Sequence, residues 1–158
     1  MKRSLRILPF LVLLSISSFG LSETRIRSVS EAYWTTRDFS RIPEYFTGKE
    51  YRGNQVIART QDDREGLYFV LELNQALATL PKSCEVFIEV VRSDEPEAKI
   101  YRLSIPEETK GRREVLLGIT GDDWDSPKIK PLAWRIEIKD ASGKVMASKQ
   151  SFLWGHEK

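Results

Sequence analysis

Cysteine and histidine are nearly missing from this chain, with one of each in 158 residues. Cys84 alone closes no internal disulfide, so the fold is not a disulfide-stapled scaffold. It stands in the alternating run Cys84-Glu85-Val86-Phe87-Ile88-Glu89-Val90, where a thiol serves as a small buried hydrophobe. A zinc site needs several Cys or His ligands. A nucleophile–histidine pair needs a rigidly held base, and His156, in the last residues given, is poorly placed for that. Gly-rich phosphate loops and dinucleotide fingerprints are missing too. The expectation is a non-enzymatic protein without a cofactor and with no catalytic residues to name. Carboxylates are plentiful, so a hydrolase using paired carboxylates is the weakest alternative.

Long hydrophobic runs are also scarce. Ile7 to Phe19 spans 13 residues, short of the ~20 that cross a bilayer as a helix. Lys2, Arg3 and Arg6 precede it, and Gly20 and Ser22 occupy the −3 and −1 positions of a cut before Glu23. This is the three-part pattern of a secretory signal peptide. Residues 1–22 therefore predict an exported protein, periplasmic or extracellular, with no integral membrane segment in the mature chain. The leader also carries basic charge. The whole chain has 25 Lys and Arg against 23 Asp and Glu, and without Lys2, Arg3 and Arg6 the balance is 22 against 23. A net −1 gives no reason to expect nucleic acid as a partner, although it leaves room for a local basic patch.

What is present is a succession of short alternating segments. Residues 23–54 form an aromatic-rich N-terminal extension with Tyr33, Trp34, Phe39, Tyr45, Phe46 and Tyr51. Such density is foreign to a disordered tail, so the extension is expected to pack on the main body. Residues 25–29 alternate weakly, and Ser40 to Gly48 reads as one helical turn capped by Ser40 and stopped by Gly48. Residues 55–154 read as seven strands: 55–60, 67–73, 84–92, 99–105, 113–120, 132–139 and 145–154. Alternation places Leu67, Phe69, Leu71 and Leu73 on one face, and Leu132, Trp134, Ile136 and Ile138 on another. Turns fall at 62–66, 94–97 and 141–144, a helical turn before Pro81, and a hairpin-like connection at 107–114. Residues 155–158 are a tail.

The spacing predicts an all-β, antiparallel β-sandwich of about seven strands. Its rhythm over Gln55 to Trp154 resembles the immunoglobulin and fibronectin type III folds. The fibronectin type is the nearer one, because Cys84 has no disulfide partner and Trp134 falls in the sixth strand. A fold of this kind implies no particular activity.

Two groups of residues are candidate sites. Asp122, Asp123 and Asp125 are weak calcium ligands, since three carboxylates in four residues supply part of an oxygen shell; the spacing is not that of an EF-hand, and Asp is common in plain turns. Trp34, Trp124 and Trp154 are candidate contacts for a ligand or partner. The favoured function is a module binding a protein or cell-envelope component through a sheet edge or end loop. The alternatives are a carbohydrate-binding module stacking sugars on exposed Trp and Tyr, and a subunit docking through the aromatic N-terminal segment. The leader reading makes one direct prediction: the exported protein isolated from its source cell begins at Glu23 by intact mass. A mature mass retaining residues 1–22 overturns it.

Overall fold

The computed structural model describes residues 23–109 and 111–155; the leader assignment and His156 lie outside them. Eight strands form two four-stranded sheets. They are β1 (Ile26–Trp34), β2 (Ile57–Arg59), β3 (Gly66–Leu73), β4 (Glu85–Arg92), β5 (Lys99–Ser104), β6 (Glu114–Thr120), β7 (Pro131–Lys139) and β8 (Val145–Gln150). The first sheet has the order β1-β3-β6-β2 and the second β5-β4-β7-β8. The fold is all-β, as the alternation predicts.

Cross-strand register shows why these segments pair. In the first sheet Leu67 faces Ile119, Phe69 faces Leu117 and Leu71 faces Val115. In the second, Val86 faces Ile138, Ile88 faces Ile136 and Val90 faces Trp134. A slip of one residue would turn either apolar set to solvent. The two sets meet in one core, where Phe69 packs edge-on against Trp134 at 5.7 Å between ring centroids. Each such buried side chain contributes roughly 1.5–3 kcal/mol. Cys84 joins this core as a buried thiol, and burial raises its pKa, which keeps it protonated and unreactive.

The pairing is not wholly antiparallel. β2 runs parallel to β6, and β1 and β6 both run antiparallel to β3. β1 and β2 therefore run the same way at opposite edges of one sheet. Parallel strands require a crossover rather than a tight turn. Residues 35–56 supply it, passing over the outer face of the first sheet through two short helices, α1 (Thr36–Phe39) and α2 (Ile42–Thr47). The 23–54 segment thus contributes an edge strand and a crossover.

Other differences from the sequence reading are local. Ser40 ends α1, and Arg41 begins α2; Ser40 does not cap α2, because its hydroxyl donates back to the Thr36 carbonyl at 3.0 Å. The connection that follows β5 is not a hairpin, since β5 and β6 lie in different sheets. The last strand ends at Gln150, and Phe152 beyond it is exposed. Leu132 is half-exposed, lying ahead of the buried stretch of β7.

Beneath the crossover lies a second, smaller core of Phe39, Ile57, Tyr68 and Leu116. Tyr68 fits because position 118 is glycine: a Cβ there would meet the Tyr68 ring at 2.6 Å. Gly118→Val is therefore expected to destabilise the protein by ~1–3 kcal/mol through overpacking, read as a lower urea midpoint. An unchanged midpoint would show that Tyr68 yields without cost.

Candidate interaction surface

The crossover is anchored first by aromatic packing. Phe39 is buried, and its ring lies 4.9 Å from both Trp34 and Tyr68, with Trp34 and Tyr68 5.5 Å apart. Asp38 accepts the backbone N–H of Thr35 at 2.7 Å and its hydroxyl at 2.9 Å, closing a capping box at the start of α1.

Charge supplies the second anchor. The guanidinium of Arg59 donates through Nε to the Tyr68 hydroxyl at 2.7 Å and through both Nη atoms to Glu50, at 2.7 and 3.2 Å. It also lies 5.1 Å from the Phe39 ring centroid. The Tyr68 hydroxyl in turn donates to the Arg64 carbonyl at 2.8 Å. Arg64 Nη1 reaches Glu44 at 2.8 Å, and the other Glu44 oxygen accepts the Tyr51 N–H at 2.8 Å. The Arg59 side chain is only 6% exposed, so bidentate pairing is what makes its burial tolerable. Burial pushes the Glu50 carboxyl up, but the hydrogen bonds and charge of Arg59 and Arg52 outweigh it and the pKa falls. Glu44 is lowered by its bonds from Arg64 and Tyr51.

With Glu44 held toward the sheet, the other side of α2 faces solvent. Ile42, Tyr45 and Phe46 are 74%, 82% and 85% exposed. Their i, i+3, i+4 spacing puts them on one helix face. Gly48, at φ 65°, ends the helix in the left-handed region, as the sequence predicts, and returns the chain to half-exposed Tyr51. The expectation that the N-terminal aromatics pack inward therefore holds for Trp34 and Phe39 and fails for Tyr45, Phe46 and Tyr51. Sequence spacing marks the helix face; the direction in which it points depends on the Glu44–Arg64 pair across twenty residues.

The candidate tryptophans do not form a shared platform. Trp34 packs in the crossover cluster. Trp124 is fully buried: its Nε1–H has no partner among the described residues, and the Arg92 guanidinium lies 5.0 Å from its ring centroid. It closes the end of the sandwich. Trp154 is partly exposed beside Arg135, 5.4 Å from its ring centroid to the guanidinium. Asp122, Asp123 and Asp125 do not converge, and no metal-holding group of three such ligands occurs among the described residues. The Asp123 carbonyl accepts Arg92 Nη1 at 2.6 Å.

The outer face of the second sheet is self-neutralising. Glu85 pairs with Arg102, Glu89 with Arg135 and Glu137 with Lys139, at 2.6, 2.6 and 2.9 Å. A groove of ≈ 560 Å³ separates edge strands β2 and β5. No protein-family model, curated protein or solved structure matches the chain.

Both anchoring carboxyls ionise more readily here than in an unfolded chain. Their contribution is therefore present above the ordinary Glu value of about 4.3 and is lost as pH falls below it through the folded values. Hydrogen exchange should show the Tyr51 amide losing protection below about pH 4, ahead of amides in β3 and β4. Protection that persists to pH 2 would mean that ion pairing does not hold the crossover.

Proposed function

We propose that the protein is a non-enzymatic, exported interaction module that docks on a protein or cell-envelope component through α2. The observation carrying this reading is the exposed Ile42–Tyr45–Phe46 face, rigidly mounted on a salt-bridged crossover. Apolar residues scattered singly over a surface need no explanation, but three large ones together on one helix face do. Aromatic anchors of this type dominate the energetics of interfaces.

The sheet edges favour α2 over edge pairing. β2 has three residues. β1 carries a register shift at Ile26/Ser28, and β5 opens with Lys99. On β8, Lys149 Nζ donates to the Arg27 carbonyl at 2.6 Å. Short strands, bulges and lysines blunt an edge against pairing. The scaffold is read as an immunoglobulin- or fibronectin-like sandwich. Support comes from the order β5-β4-β7-β8 opposite β1-β3-β6 and from the chain changing sheets after β3, β5 and β6. The parallel β2 edge departs from that pattern.

Tyr45→Ala/Phe46→Ala should leave stability within about 0.5 kcal/mol, because both side chains are on the surface. Binding to the envelope fraction of the source cell, read by co-sedimentation, should fall at least tenfold. If the native chain fails to co-sediment, or the double variant binds equally well, the docking role is wrong.

A further inference from the structure

The identity of what docks on α2 follows from how charge is sorted around it. Residues 35–54 contain four basic side chains, Arg37, Arg41, Lys49 and Arg52, and all four are exposed. Of the three acids in the same stretch, Glu44 and Glu50 turn toward the sheet and are occupied by Arg64 and Arg59. The third, Asp38, is held in the capping box of α1. Arg52 shares Glu50, at 3.2 Å, with the more closely bound Arg59. The crossover therefore turns two of its three acids toward the sheet and leaves its four bases outward; the third acid, Asp38, is exposed but its carboxylate is occupied by the Thr35 N–H and hydroxyl. Arg41 stands at the start of α2 and Lys49 just beyond its end, so cations flank the apolar face on both sides. Asp62 and Asp63 belong to the β2–β3 turn, where Asp63 lies against Gly121.

Shape agrees with charge. Exposures of 74–85% on Ile42, Tyr45 and Phe46 describe a protruding tip. A folded partner needs a matching pocket for such a tip, whereas a lipid headgroup layer deforms around it. Aromatic side chains are favoured at the membrane–water interface, and an apolar helix face with basic flanks is the pattern of a helix lying in that interface. Basic side chains add attraction to anionic lipids.

We infer that the Ile42–Tyr45–Phe46 face of α2, flanked by Arg41, Lys49 and Arg52, seats on an anionic lipid surface. This rests on the docking role proposed above and names its partner. Entry is shallow, by side chains only, in keeping with the finding that no described helix is long and apolar enough to cross a membrane.

The test is flotation of the full chain with protein-free vesicles, either phosphatidylglycerol and phosphatidylcholine in equal parts or phosphatidylcholine alone. Residues 1–22 are common to every variant, so the differences report on α2. Tyr45→Ala/Phe46→Ala should lower affinity for the anionic vesicles at least tenfold. Arg41→Gln and Lys49→Gln should each lower it about fivefold, without changing the weak binding to phosphatidylcholine. Equal flotation of native chain and variants overturns the inference. If the envelope fraction binds in an α2-dependent way but the vesicles do not, the lipid partner falls and the docking role stands. Phe46-dependent self-association in sedimentation velocity would instead identify the occupant as a second copy. If neither vesicles nor envelope bind and no self-association appears, both readings fall.

Discussion

Everything distinctive about this molecule depends on one guanidinium. Arg59 sits at the end of a three-residue strand and is nearly buried. It joins Glu50 of the crossover to Tyr68 of β3. A buried cation is tolerated only with near-complete pairing, and that requirement fixes the path of the returning chain. Glu44, within α2, must arrive at Arg64, and Glu50, three residues past its end, at Arg59. The helix then has a single way to sit, with its acidic side down and its apolar side up.

The two sheet faces illustrate opposite uses of charge. On the second sheet, carboxylates and cations pair across neighbouring strands and along β7, and cancel locally. Exposed pairs of that kind contribute little to stability and leave no field of one sign. Over the first sheet the same residue types are separated by depth, with Glu44 and Glu50 spent on the inner arginines Arg64 and Arg59 and the crossover's own cations left at the surface. A chain whose overall charge is close to neutral can in this way carry a basic patch that its composition does not announce.

The strands were largely legible in the sequence because half-buried strands alternate visibly. Val86, Ile88 and Val90 opposite Val115, Leu117 and Ile119 need only a period of two to be recognised. β1 was less so: as an edge strand it is mostly exposed along Arg27 to Glu31, so burial leaves little mark on it. The crossover was illegible for a different reason. Its direction depends on β2 pairing with β6 across nearly sixty residues, and no local pattern encodes a parallel partner. Trp124 was legible in part: tryptophan is usually buried wherever it stands, but the contact that covers its ring, from Arg92 at the end of β4, has no local signal in the sequence.

The parallel β2–β6 pair also orders events in time. β1 can pair with β3 as soon as β3 exists, but β2 has no neighbour in its sheet until β6 forms. Pairings this distant in sequence close late and slowly. Until they close, Arg59 has no fixed position, the crossover has no second anchor, and α2 has no defined orientation. The aromatic tip therefore gains its fixed outward aim only once β6 is in place beside β2. Folding thus sets the surface: the exposed face of α2 takes its aim from a strand that lies far later in the chain.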